Sequence, residues 1–221
     1  MDDFQFAKIL AYWPDLIRGV GVTFQLASIS ASLGLVLGLV LALMKYSRLP
    51  LLYWPAYVYV EFFRTTPPLV QIVWLYYGLP LFTGYDLGAF AAAAVALGLN
   101  MGAFYGEIIR AGILGVHRTQ WQASRVLGLN LIDTLRFIIL PQAVRNVLPP
   151  MGTTTIYLIK DTALASAIGA PELLRIGQLV AVETFRPLET LTVVAVLYFA
   201  VTYPVALFVE WLERRFKVAR A

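Results

Sequence analysis

From Gly19 to Met44 the chain carries no charged residue. A run of that length can cross a bilayer as a helix. The hydrocarbon core is about 30 Å thick and needs roughly 20 apolar residues, because nothing in it satisfies a free backbone N–H or C=O. Thr190 to Val209 is a second uncharged run. Three further stretches fit the same reading: Leu51 to Phe82, Leu87 to about Gly106, and about Val147 to Ile168. The first of these is interrupted by Glu61, Arg64 and Pro67-Pro68, and the last carries Lys160 and Asp161. The expectation is an all-α membrane protein with about five transmembrane helices, in one domain over residues 1–221.

Composition agrees. Of 221 residues, 60% are hydrophobic and 14% charged, against about 45–50% and about 25% in a soluble domain. The absence of cysteine and a single histidine exclude disulfides, thiolate metal sites and a His cluster. The acidic start, Met1-Asp2-Asp3, lacks the basic region of a cleaved signal peptide, so the first apolar stretch reads as a mature span.

The net charge of +4 is not spread as a nucleic-acid surface would be. With the amino terminus outside, the inner segments hold Lys45, Arg48, Arg110, Arg118, Arg125, Arg136, Arg145, Arg214, Arg215, Lys217 and Arg220. The outer segments hold only Lys8, Arg18, Arg175 and Arg186. That asymmetry puts the amino terminus out and the carboxyl terminus in.

Gly98, Gly102 and Gly106 share a helical face, as do Gly34 and Gly38, and both sets read as close packing between helices. Residues 4–18 mix Phe4, Phe6, Ile9, Leu10, Trp13 and Ile17 with Lys8, Asp15 and Arg18. That pattern predicts an amphipathic helix lying on the outer interface.

The long inner loop, about Glu107 to Arg145, has helical signals of its own. Gln120 to Leu127 predicts a helix stopped by Gly128. A second helix is expected from about Asn130, with Leu131, Leu135, Ile138 and Ile139 on one face until Pro141 interrupts it. Two short helices with one apolar and one basic face make a docking knob, or a loop lying flat on lipid headgroups.

The motif Gln122-Ala123-Ser124, then Gly128, then Ile138-x-Leu140-Pro141 resembles the EAA loop of binding-protein-dependent ABC permeases. The family pattern is Glu-Ala-Ala, three residues, Gly, nine residues, Ile-x-Leu-Pro, and every spacing agrees. The flanks Glu107-Ile108-Ile109-Arg110-Ala111-Gly112-Ile113 and Leu140-Pro141-Gln142-Ala143 are similar to the polar amino-acid subfamily, of histidine, glutamine and glutamate type. So are Glu61-Phe62-Phe63-Arg64-Thr65-Thr66-Pro67 and Lys160-Asp161-Thr162-Ala163-Leu164.

The resemblance implies a type I ABC importer permease fold in the cell inner membrane. Gln122, Ala123, Ser124, Gly128, Ile138, Leu140 and Pro141 would then couple to a cytoplasmic ATPase dimer. It also implies a second permease subunit, identical or similar, an extracytoplasmic solute-binding protein and an amino-acid substrate. No cofactor is expected in this chain, because ATP and Mg would bind the ATPase. Consistent with that, no G-x-x-x-x-G-K-[ST] pattern occurs. Gln122 and Ser124 depart from the family's Glu and Ala, so a charge-assisted contact to the ATPase would become a neutral one.

Charges inside a span cost about 2.5–3.5 kcal/mol each on insertion scales. Arg64 and Asp161 both fall roughly 18–21 Å from the inner face. Pro67-Pro68 removes amide donors and frees carbonyls at the same level. The functional expectation is that Arg64 attracts a substrate carboxylate and Asp161 its ammonium, with Thr65, Thr66 and Thr162 offering hydrogen bonds. The structural alternative pairs Arg64 with Glu61 and Asp161 with a neighbouring helix.

His117 is expected at the solvated surface. Two other functions compete. A secondary transporter or channel would not need the docking loop. A membrane-embedded hydrolase would need a base beside a nucleophile, and Ser28, Ser30 and Ser32 lie far in depth from His117.

Overall fold

The computed structural model describes residues 5–47 and 49–216, and every regular element among them is helical. Phe4, Arg48, Lys217 and Arg220, which enter the sequence argument, lie outside the described residues.

The chain opens with α1 (Phe6–Leu10) and α2 (Trp13–Tyr46), separated at Ala11 and Tyr12. The expected interfacial helix therefore stops short of Arg18. Pro14 suits the first turn of a new helix, where its missing N–H costs nothing, and Trp13 to Arg18 become the head of the first span. Buried Ile9 and Leu16 pack with Leu173, Val180, Val194 and Leu197, so α1 is fixed to the bundle as well as amphipathic.

Next come α3 (Pro50–Thr65) and α4 (Pro68–Val73), broken at Thr66-Pro67 as the proline pair requires. A widened π-turn, Trp74–Gly78, leads from α4 into α5 (Leu79–Thr83). Then α6 spans Gly88–Leu114. The third span was expected to end near Gly106, but nothing breaks the helix before Gly115, so the inner loop begins about two turns later than Glu107. Glu107 is held by Lys45 at 2.6 Å and by Arg110 Nε at 2.9 Å, which ties the ends of α2 and α6 together.

The loop carries α7 (Arg118–Val126) and α8 (Leu131–Asp133), and a π-turn at Thr134–Ile139 runs straight into α9 (Leu140–Asp161). Pro141 does not interrupt the chain as expected. Both π-turns stand directly before a proline in the second position of the next helix, Pro80 in α5 and Pro141 in α9. A proline ring in a regular helix strikes the carbonyl four residues back, and a widened turn moves that carbonyl aside.

A 3-10 turn, Thr162–Ile168, ends the fourth span. It is followed by α10 (Leu173–Thr184), which the sequence pattern did not predict, and by α11 (Pro187–Phe216). Glu172 is fully buried and caps α10, accepting from the N–H groups of Leu174 and Arg175 and from the Tyr198 hydroxyl of α11. Helices α2, α6 and α11 are each long and apolar enough to cross a membrane. The other two expected spans are the segmented ones, α3 to α5 and α9 with its 3-10 end.

The core is built on α2 against α6. A Cβ on Gly38 would lie 2.8 Å from the Gly106 nitrogen, and one on Gly34 would lie 2.6 Å from Met101 Cβ. On the other side, Gly98 faces Leu33 and Gly102 faces Leu37. The two glycine stripes thus interlock, which is the packing role expected of them. Ser30 Oγ donates to the Ala94 carbonyl at 3.1 Å along the same seam.

Candidate functional site

In an unbroken helix the Phe63 carbonyl would accept from the N–H of residue 67, and that residue is proline. An unpaired carbonyl at this depth is costly, so a donor has to come from elsewhere. It comes from side chains. Asn100 Nδ2 of α6 donates to the Phe63 carbonyl at 2.9 Å and to Gln71 Oε1 at 3.1 Å. Gln71 Nε2 of α4 reaches the Phe63 carbonyl and the Thr66 carbonyl at 3.1 Å each, and Thr66 Oγ1 at 2.7 Å.

Of the residues proposed for substrate, Arg64 is exposed at the last turn of α3, with its guanidinium over the Phe104 ring at 5.7 Å. Thr65 and Thr66 flank the break and donate to the carbonyls of Glu61 and Phe62, at 2.7 and 2.8 Å. Asp161 is half-buried at the end of α9. Thr162 is fully buried, and its hydroxyl donates to the Ile159 carbonyl at 2.7 Å.

Among the described residues no ion pair engages Arg64, Asp161 or Glu61. The Arg64–Glu61 pairing offered as the structural alternative is therefore not formed within this chain. The two segments do meet: Ile72 of α4 is buried in one cluster with Ala165 and Ile168 of the 3-10 turn. A largely apolar cavity of about 340 Å³ opens beside the break, walled by Phe62, Phe63, Thr66, Val70, Gln71, Trp74, Leu75, Ala96 and Leu99. Neither Arg64 nor Asp161 lines it.

Sequence reasoning missed Gln71 and Asn100. The signal is present in the proline pair, which demands replacement donors, but within an apolar run a charge stands out and a neutral amide does not.

The loop carrying α7 and α8 is a second candidate. Gly128 adopts φ +71°, with its N–H on the Arg125 carbonyl and the Leu129 N–H on the Ser124 carbonyl, both at 3.0 Å. This pair of bonds is a Schellman closure, which ends α7 where the sequence predicted. His117 is exposed, as expected, and also caps α7, its Nδ1 accepting from the Thr119 N–H at 3.3 Å.

Val116, Ile139 and Ala143 are buried together, with Trp121, Leu135 and Ile138 packed on them, and they anchor the loop to α6 and α9. Of the matched motif residues, Ser124 is buried and Ile138 half-buried, while Gln122, Ala123, Gly128, Leu140 and Pro141 are exposed. Beside them Val126, Leu127, Leu131 and Ile132 stand 87%, 74%, 66% and 73% exposed, an apolar tip. Exposed Arg118, Arg125 and Arg136 lie on the same loop elements. An apolar surface of this kind, flanked by charge, suits a protein partner or the lipid interface.

Residues 34–218 match the family described as binding-protein-dependent transport system inner membrane component. The chain is 37% identical over 204 residues to the probable amino-acid ABC transporter permease protein YckA of Bacillus subtilis, covering 92% of this chain and 90% of that one. It is 36% identical over 216 residues to the glutamine transport system permease protein GlnP of Escherichia coli, covering 97% and 99%. Among solved structures, a chain of an amino acid ABC transporter crystallised with histidines superposes with a TM-score of 0.91 at 36% identity, covering 96% of this chain and 99% of that one. A chain of the MetNI methionine ABC transporter, in an inward-facing form, gives a TM-score of 0.78 at 24% identity over 94% and 99%, a likeness of fold.

Proposed function

The chain belongs to the binding-protein-dependent transport system inner membrane components, and from that premise we propose that it is the membrane-spanning subunit of an ABC importer of polar amino acids. The observation that carries the reading is the loop from His117 to Ile139. Its helix ends on a Schellman glycine at the family position, and its apolar tip is exposed, with nothing among the described residues covering it.

In this proposal a cytoplasmic ATPase dimer receives the tip and supplies the energy, binding ATP and Mg itself. A second permease subunit, an extracytoplasmic solute-binding protein and the lipid of the cell inner membrane complete the assembly. A secondary transporter or channel would have no use for such a tip, and the family membership does not favour either.

The proposed substrate site is the convergence of the α3–α4 break with the end of α9. Arg64 draws the substrate carboxylate and Asp161 the ammonium, and Thr65, Thr66 and Thr162 frame them. Neither charge forms a contact ion pair among the described residues, Lys160 being only the chain neighbour of Asp161, which supports this, since an intramembrane charge held for structure would be paired.

The test is uptake of a panel of polar amino acids into proteoliposomes holding the chain with its ATPase and binding protein. ATP-dependent uptake that stops when the ATPase is omitted is the expected result. Uptake driven by an ion gradient without ATP would overturn the assignment.

A further inference from the structure

The amides that close the break do more than fill a gap in the backbone. Asn100 is 1% exposed, and its Oδ1 is a buried side-chain atom with no hydrogen-bond partner among the described residues. Both hydrogens of its Nδ2 are committed, one to the Phe63 carbonyl and one to Gln71 Oε1, so turning the amide over would put two acceptors face to face. Buried polar atoms in a finished structural staple are satisfied, and one that is not calls for an explanation. The amide partner of Asn100, Gln71, and the Phe63 carbonyl that Asn100 serves belong to the break, and Phe63 and Gln71 also line the cavity there.

We propose that Gln71 and Asn100 are positioning residues for transport, a pair of side-chain amides that stands in for the donor lost at Pro67 and sets the angle at which α3 presents its last turn. The inference rests on the reading of that turn as part of the substrate path. Residues 63 and 100 lie on different spans, so the pair couples the break to α6, which holds the α2 seam on one face and leads into the docking loop at its end. In the conformation described, Asn100 Oδ1 is the open valence. The Phe63 carbonyl accepts from both amides, so it keeps a donor from one if the other turns away, and the pair can change setting without stranding the backbone.

The experiment uses the assembled complex in proteoliposomes, with Gln71→Met and Asn100→Ala made singly and together. Gln71→Met keeps the length of the side chain and leaves the Asn100 donor on Phe63. The readout is uptake per ATP hydrolysed, which does not depend on how much complex is recovered. Asn100 makes two of these hydrogen bonds and Gln71 takes part in four, and each single variant is expected to lower the ratio about tenfold. Basal ATP hydrolysis should stay within about twofold, and the double variant should fall little further, because residues that act as one unit are not additive.

An unchanged ratio in both single variants overturns the proposal. So does a failure of both to assemble, which would make the pair a structural staple. So do additive losses. Arg64→Gln, measured alongside, separates the two readings: normal uptake there removes Arg64 from the substrate site, whereas the amide pair stands or falls on its own ratio.

Discussion

Replacing Asp161 by Asn keeps the shape of the side chain and removes its charge. If the carboxylate holds the substrate ammonium, losing that charged hydrogen bond costs about 1.5–3 kcal/mol, or roughly tenfold to more than a hundredfold in apparent affinity. Complex assembly and basal ATP hydrolysis should survive. The check is uptake per assembled complex, and normal uptake in both Asp161→Asn and Arg64→Gln would refute the site. At this scale the charges are legible in the sequence alone, because a charge in an apolar run has to be explained. Gln71 and Asn100 are not. An uncharged amide in a span is unremarkable until one knows which carbonyl it faces, and Asn100 faces one 37 residues away. Nor does the sequence tell that Arg64 lies over Phe104 instead of reaching Glu61 one turn back, since both lie within its reach.

Among the elements, α7 depends on a glycine whose φ of +71° few other residues tolerate. Gly128→Val puts a β-branched side chain in the left-handed region and should unwind the end of α7, tilting the exposed tip. Gly128→Asn, whose side chain accepts that region, should retain most function. The expected outcome is a valine variant that inserts normally but no longer retains the ATPase on affinity purification, with the asparagine variant close to wild type. Equal retention by both would detach the turn from coupling. Prolines were the least reliable guide to element boundaries. Pro67 and Pro141 both fall at expected element boundaries, yet one breaks its helix and the other opens one without a gap. The difference is that a widened turn, Thr134–Ile139, precedes Pro141, whereas Pro67 is followed by Pro68, which keeps it extended. Short α10 was invisible for another reason: no long apolar run marks it, and its start is defined by Glu172 capping in three dimensions.

Across the whole molecule, the unequal spread of Lys and Arg predicts a cytoplasmic carboxyl end. A reporter fused after Arg220 should register inside and one inserted near Thr83 outside, and the reverse pattern would invert the placement of the docking loop. The all-helical plan and its three long apolar helices were legible because hydrophobic length is a property of the sequence, whereas the close approach of α2 and α6 belongs to the glycines. That approach constrains how the protein can move. With Leu33 and Leu37 of α2 seated over Gly98 and Gly102 of α6, a shift along the seam would press those side chains on their neighbours, so α2 and α6 are expected to move together. On that expectation movement during transport falls to the broken elements, with the α2–α6 pair carried as one stiff spar. The chain has no cysteine of its own, so Ser30→Cys with Ala94→Cys puts a single thiol pair on facing turns of that seam, its disulfide to be verified by loss of free thiol before uptake is measured. A transporter whose hinge lies elsewhere will not notice the lock: uptake in the oxidised double variant should match that in the reduced one, and arrest on oxidation would mean the spar bends.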